Sequence, residues 1–593
     1  MAYPNPAVTY EEAFREAVAA AFRRLGIVAD PVIETPRSGH ADLCLVTFPL
    51  AKELRKGPGE IADSIKDAVP ADDRWSLTVS EGYLNCHFDL DRYIVEGGAH
   101  LWSELSRFGK GPDKDELFIV EHTSANPNGP FHVGRARNPI IGDTLVRLLR
   151  FAGYPVEAQY WVNDMGKQVM ILVWGIHNIS PSTLSEPGMD KPDHDLVRYY
   201  QAANSRMEGD PLVEKRINDL LLSYEEAVKD GDFDRALDED GSITVRDVRD
   251  ACERVLKGMT ASLRKMAVDF DSFVFESQVV EDHSLLGVIE GLKKSPLCRE
   301  ENGASYLDLS GEVKGGDDDK FKRRFVFTRS DGSALYTTRD LAYHKWKLSR
   351  CDHAVNVLGE DHKYQSMMLS MALRELGSEK MPETVFYSFV SLPEGKMSTR
   401  RNRVVFLDDL LEEAEFRARE EVMKRRPDLS EEEMEEISRA VGIGALRFNM
   451  IRVQPEKKIV FRWEDALNFE GSAAPFVQYS HARACSILRN LEGEKIADPE
   501  WTNLVEASEK ELVKGLLRFP MVVEKAAGER KVHLVPQYLV ELASAFNDFY
   551  RDCPVLAEGD SSRRAARIAL VDIFRRVVAD GLDVLGIAAP ESM

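Results

Sequence analysis

Three short stretches carry side chains suited to phosphate or guanidinium chemistry. In His132-Val133-Gly134-Arg135, the imidazole and the guanidinium can both donate hydrogen bonds to phosphate oxygens, and Gly134 leaves room for a flat group such as a purine to lie on the backbone. In Tyr336-Thr337-Thr338-Arg339-Asp340, Tyr336 and Asp340 lie four apart and share a face if a helix begins this early. A guanidinium needs a carboxylate partner, best engaged through two hydrogen bonds, plus further acceptors. In Gly395-Lys396-Met397-Ser398-Thr399-Arg400, the lysine can approach a leaving pyrophosphate as a point charge. Taken singly, each has a plainer reading: a core histidine at a helix start, a surface ion pair for Asp340, a basic surface loop. There is no GxGxxG and no GxxxxGK[ST], so neither dinucleotide nor P-loop binding is indicated.

The elements that must position these residues are legible around them. Leu117 to Val120 is a short apolar run of the kind a buried parallel strand uses. Asn126-Pro127-Asn128-Gly129-Pro130 forbids regular structure. Beyond it, Ile141, Leu145, Leu148 and Ala152 form the stripe of an amphipathic helix, with Pro139 in its first turn and Gly153 and Pro155 as its stop. His132, Gly134 and Arg135 therefore fall where a strand hands over to a helix, at the carboxyl edge of a parallel sheet, which is where open α/β sheets bind ligands and helix N-termini attract phosphate. Val156 to Val162 reads as a second strand ending in Asn163-Asp164, and Val355 to Leu358 as a third ending in Gly359-Glu360-Asp361-His362-Lys363-Tyr364-Gln365. Phe321 to Thr338 reads as a hairpin around Ser330-Asp331-Gly332-Ser333, followed by a helix through Lys347.

At 593 residues the chain exceeds one core and should hold roughly three or four domains. Residues 1–110 read as an α+β module, with a helix over 10–25, strands over 43–48 and 82–88, and a helix starting at Glu60. Residues 111–465 read as a catalytic domain with a charge-rich, mostly helical insertion at about 185–300 and connecting helices after 410. Residues 466–593 read as helical. Ser430 with Glu433 fits a capping box, and the acidic run at 317–320 reads as an exposed turn. A formal charge of −23 argues against a surface coated with nucleic acid but leaves room for a local basic groove. Arg563, Arg564, Arg567, Arg575 and Arg576 give the last helices such a face. Phe546, Phe549 and Tyr550 have the ring type that stacks on unpaired bases, with core packing expected for at least two of them. Seven scattered cysteines without a CxxC suggest neither zinc nor a disulfide framework, and fit a reducing cytoplasm. The N-terminus is not a signal peptide, and the most apolar segment, 169–179, is too short to span a membrane.

In combination the motifs resemble a known family. HVGR resembles the HIGH signature of class I aminoacyl-tRNA synthetases, and EHTSANPNGPFHVGRARNPIIGD its arginyl-tRNA synthetase form, with Arg135 keeping a phosphate donor where a second histidine is usual. QYWVNDMGKQ resembles an element beside that family's active site. TTRD resembles its Y-x-T-R-D element, and KMSTR its KMSKS signature, with Arg400 and Arg401 supplying the charge that Thr399 lacks. HADLCLVTFPLAKELRKGPGEIADSI and GYLNCHF resemble its N-terminal tRNA-contacting domain, and SAAPFVQYSHARACSILR the opening of its helical anticodon-binding domain.

The resemblance implies a multidomain α/β fold: a Rossmann-like parallel-sheet catalytic domain between an N-terminal α+β domain and a C-terminal all-α anticodon-binding domain. It implies ligation of arginine to the 3′ end of tRNA through an arginyl-adenylate, with His132, Arg135 and Lys396 catalytic. ATP would meet Asn128, His132, Gly134, Arg135, His362, Lys396, Met397 and Ser398. Arginine would meet Glu121, Ser124, Asn126, Tyr336, Asp340, Asp361 and Gln365, and tRNA would meet Tyr83, Tyr550, Arg563 and Arg567. Mg2+ is expected with ATP, without zinc, a prosthetic group, a membrane or an obligate protein partner. Two rivals are an enzyme of the same fold joining AMP to a small acid without tRNA, and a non-catalytic RNA-binding paralogue. The long terminal modules weigh against the first, and His132, Gly134 and Lys396 together against the second.

Overall fold

The helix Pro6–Leu25 opens the chain. Asn5 caps it by accepting from the Ala7 N–H at 2.9 Å, and Gly26 closes it in the left-handed region. The structure, a computed structural model, describes residues 4–36, 41–310, 324–391, 406–491 and 497–593. The helix lays Phe14, Val18 and Phe22 on an antiparallel sheet of β1 (Ile33–Glu34), β2 (Leu43–Val46), β3 (Trp75–Ser80) and β4 (Tyr83–Phe88), ordered β1-β2-β4-β3. Alternate residues of β3 are exposed, as a half-buried strand requires. The helix expected from Glu60 starts at Pro58, whose fixed φ suits a first helical position.

A five-stranded sheet forms the centre. Its strands are β5 (Phe118–Glu121), β6 (Val156–Val162) and β7 (Ser272–Phe275). After a small sheet of β8 (Cys298–Glu301), β9 (Ala304–Asp308) and β10 (Arg324–Val326), β11 (His353–Gly359) and β12 (Glu383–Tyr387) complete it. All neighbours in the order β12-β11-β5-β6-β7 are parallel. The chain steps outward from β5 through β6 to β7, then returns to the other side of β5 for β11 and β12. That reversal opens a crevice at the carboxyl ends of β5 and β11.

Two sequence expectations need correction. The 185–300 segment is not only a helical insertion. It supplies the helices Pro192–Gly209, Pro211–Asp230 and Val245–Lys265, but also β7, an edge strand of the central sheet. Four residues, SFVF, are too few for a periodic signal. The hairpin around 330–333 is likewise partial: β10 pairs back with β9, and the turn closes through a Thr328–Ala334 bridge and the Arg329 N–H donating to the Ser333 carbonyl at 2.8 Å.

The rest is helical. Ser430 and Glu433 form the expected reciprocal cap of Glu431–Ile451. Phe546 stacks on Phe574 at 3.8 Å in the C-terminal core, and Phe549 is buried beside it. The N-terminal module docks on the helix Ala507–Leu517 through Asp42–Lys514 and Asp91–Lys510 ion pairs, each 2.7 Å. Arg447, fully buried, pairs with Asp143 at 2.6 Å and donates to the carbonyls of Leu585 and Met266. It thus joins the helix Arg137–Phe151 to the end of the helix Val245–Lys265 and to the C-terminal segment. No described helix is long and apolar enough to cross a membrane.

Removing one partner of a buried ion pair strands the other, at about 3–5 kcal/mol. Asp143→Ala is therefore predicted to lower the unfolding free energy from a urea titration, followed by circular dichroism, by an amount of that order. Asp548→Ala, at the exposed Arg551 pair, leaves it unchanged.

Candidate active site

The segment after β5 is strained and heavily braced. Thr123 (φ 71°) and Ser124 (φ 41°) both sit in the left-handed region, which disfavours a β-branched residue. The Thr123 N–H donates to Asn138 Oδ1 at 2.7 Å, and Asn138 Nδ2 donates to the Val357 carbonyl of β11 at 2.9 Å. The buried Tyr160 hydroxyl takes the Ala125 N–H and donates to the Ala125 carbonyl. Gln168 Oε1 accepts from both Asn126 and Asn128, at 2.9 and 3.1 Å. So held, Glu121, Ser124 and Asn126 face a cavity of about 490 Å³, which Tyr336, Asp340, Asp361, His362 and Gln365 also line.

The far wall is a chain of fixed hydrogen bonds. The helix Tyr336–Leu348 begins early enough to set Tyr336 and Asp340 on one face, as the spacing requires. The next turns of that face bring His344 and Lys347. Lys347 is wholly buried; its ammonium meets Glu121 Oε2 and Asn356 Oδ1, both at 2.7 Å. Asn356 Nδ2 donates to His344 Nε2 at 2.8 Å, so the His344 proton sits on Nδ1 and faces Asp340 Oδ1 at 3.0 Å. Burial alone would raise the Asp340 carboxyl; His344 and then Lys347 hold it below its ordinary value. Gln365 Nε2 donates to the Tyr336 hydroxyl at 3.1 Å, and its Oε1 meets His362 Nδ1 at 2.6 Å.

Sequence reasoning missed one carboxylate here. Glu276, one residue past β7, is 1% exposed; one oxygen is paired with Arg339, while Oε2 has no partner and the side chain lines the cavity. Burial outweighs Arg339 and pushes its carboxyl up to about 7. Asn163 Oδ1, also cavity-lining, is a second buried acceptor without a donor. Asp164, beside it, turns away and receives the Ser277 N–H at 3.0 Å and the Tyr224 hydroxyl at 3.3 Å.

Val133–Arg135 forms a tight turn ahead of the helix Arg137–Phe151. His132 Nδ1 accepts the Gly134 N–H at 3.0 Å, which leaves Nε2 to carry a proton outward even in the neutral ring. Burial and then Arg135 lower its pKa. A Cβ on residue 134 would lie 3.2 Å from that Nδ1 and crowd the bond. Asn128, His132 and Arg135 line a second cavity of about 410 Å³, which shares Asn126 and Arg135 with the first. Lys396, Met397 and Ser398 lie outside the described residues.

Comparison with known proteins assigns a family to nearly the whole length of the chain. The family model for tRNA synthetases class I (R), catalytic domain, matches residues 101–463; the arginyl tRNA synthetase N terminal domain matches 9–88, and the DALR anticodon binding domain matches 477–593. The chain is 46% identical to an arginine–tRNA ligase of Methanocella arvoryzae over 94% of each chain. It is 41% identical to one of Methanothermobacter thermautotrophicus over 98% of this chain and 99% of that one. The Thermus thermophilus arginyl-tRNA synthetase structure matches 98% of this chain and 100% of its own with TM-score 0.80 at 30% identity. The chain belongs to the arginyl-tRNA synthetase family.

As a member of that family, the chain carries its expected RNA contacts unevenly. Tyr83 is half-buried, edge-on to Phe48 at 5.2 Å. Tyr550 is exposed, with the Arg483 guanidinium over its ring at 4.6 Å. Arg563 is partly exposed, 3.9 Å from Glu558. Arg567 must be corrected: it is 3% exposed and holds Glu509 at 2.6 Å and Glu558 at 2.8 Å, so it is an internal tie rather than a surface donor. Arg575 and Arg576 are spent on Asp572. Three carboxylates, Glu509, Glu558 and Asp572, thus lie against the basic face read from the sequence.

The sign of the Glu276 shift gives a test. The folded chain holds this proton between about 4.5 and about 7, where the unfolded chain has released it, so its contribution to stability falls as pH rises through that window. The melting temperature of Glu276→Gln relative to wild type should therefore increase from pH 4.5 to about pH 8. A constant difference would show an ordinary carboxylate.

Proposed function

We propose that this protein charges tRNA with L-arginine at the expense of ATP, through an arginyl-adenylate. What supports the reading is the meeting, at Asn126 and Arg135, of a cavity walled by acceptors with one walled by phosphate donors. The guanidinium of arginine offers five donors in a rigid fork; Asp340, the Tyr336 hydroxyl and the free oxygen of Glu276 receive it. Ser124, Asn126 and Gln365 take the amino and carboxyl groups, with Glu121 and Asp361 near the ammonium. ATP lies across Asn128, Gly134 and His362.

In the first step an oxygen of the arginine carboxylate bonds to the α-phosphorus, and the bond to the bridging oxygen of pyrophosphate breaks. His132 Nε2–H, Arg135 and Lys396 stabilise the charge that develops on the phosphates, with Met397 and Ser398 beside the nucleotide. In the second, a terminal ribose hydroxyl of tRNA attacks the adenylate carbonyl and AMP leaves. The described lining of the second cavity holds donors and no carboxylate. Mg2+ would therefore be held by the phosphates it neutralises rather than by a protein cage. We place residues 1–110 and 466–593 on the tRNA, with Tyr83, Tyr550 and Arg563 as contacts, and the reaction in the cytoplasm.

Asp340→Asn removes one charge-assisted hydrogen bond to the guanidinium, about 1.5–3 kcal/mol, so the arginine KM should rise about 10- to 100-fold while the ATP KM holds. Lys396→Ala and His132→Ala should instead lower kcat about 10²- to 10³-fold, as loss of a transition-state donor does. Arginine charging of tRNA by the Lys396 and His132 variants at the wild-type rate would refute the assignment.

A further inference from the structure

A second polar cluster lies behind the phosphate-binding turn and lines neither cavity. Asp408, in the first turn of the helix Leu407–Arg425, is fully buried. Its Oδ2 meets Lys191 Nζ at 2.7 Å and His194 Nε2 at 3.1 Å, and its Oδ1 accepts from Ser262 at 2.8 Å. Asp193, also buried, adds a second carboxylate 3.4 Å from Lys191. The three donors come from the N-terminal end of Pro192–Gly209 and from Val245–Lys265. Asp193, His194 and Asp408 have the composition of a metal site. The Lys191 ammonium already supplies the cation there, so the cluster reads as an ion-pair lock.

The lock bears on the chemistry through two backbone contacts. The Leu407 N–H donates to the Phe131 carbonyl at 2.7 Å, and Phe406 pairs with His132 in an antiparallel bridge. His194 sets its ring edge against Phe406 at 5.2 Å. The same helix also backs the turn itself: a Cβ at Gly129 would lie 2.6 Å from Val197.

A buried ion-pair cluster adds little stability over apolar packing, but it admits one geometry. We infer that Asp408 is a positioning residue for adenylate formation, locking Phe406 and Leu407 against Phe131 and His132 so that the histidine is held where it acts. The inference rests on the proposed function of the site and extends it to residues that touch no substrate.

The test is a split between binding and turnover in the full-length protein. Asp408→Asn keeps the shape and removes the charge. It should lower kcat for tRNA arginylation about 10- to 100-fold, the effect of a small misplacement, while the arginine Kd by calorimetry stays within about twofold. Lys191→Met should behave alike, the double variant no worse than either single, and Lys191→Arg should restore much of the rate. Should Asp408→Asn fail to fold, Ser262→Ala removes one hydrogen bond and is read for the same split. Wild-type turnover in the folded variants, or turnover and arginine affinity falling together, would overturn the inference. A wild-type protein that neither binds arginine nor charges tRNA would instead overturn the proposed function.

Discussion

The site depends on one buried cation. Lys347 has no exposure to water, and an unpaired ammonium there would be expelled or neutralised. Its presence therefore calls for the Glu121 carboxylate as its ion-pair partner and for Asn356 to turn its oxygen inward. Once Asn356 is so turned, its amide N–H points at His344, which fixes the histidine proton toward Asp340. One lysine thus engages one carboxylate and sets the hydrogen-bond direction at another, across the floor of the larger cavity. A pocket prepared in this way favours a ligand that is cationic and rich in donors.

The sheet supplies the other constraint. Reversal of strand order at β5 puts the carboxyl ends of β5 and β11 on either side of one crevice. The left-handed residues Thr123 and Ser124 let the chain turn back over it, and Asn138 bridges the two strands by holding Thr123 and Val357 together. The same Arg137–Phe151 helix that carries Asn138 begins just past His132, so the acceptor-lined and donor-lined cavities are set by a single rigid element. The left-handed strain at Thr123 and Ser124 persists because four hydrogen bonds over-determine it.

Much of this was legible in the chain because it is local. The short apolar run before a proline-rich turn, the helical stripe after it, and the four-residue spacing of Tyr336 and Asp340 are each decided by neighbours in sequence. His344 and Lys347 continue the same helical face at steps of four and three, a local pattern that does not by itself distinguish site from surface. Glu276 and Asn356 carried no local signal: each becomes a site residue only because strands far apart in sequence are paired. Arg567 was misread for the complementary reason. Composition shows a charge, but only the packing of Glu509 and Glu558 shows that the charge is spent.

The central claim is that the larger cavity selects a guanidinium by charge as well as by shape. Citrulline has nearly the shape of arginine but replaces the charged fork with a neutral urea, so calorimetric titration of the two amino acids isolates the charge. A cavity that sets the charged Asp340 carboxylate against the fork should bind arginine at least about 100-fold more tightly, since loss of a buried ionic partner is worth several kcal/mol. Equal affinities would show that the Lys347 network does not prepare the pocket for a cation, and would contradict the account at its root.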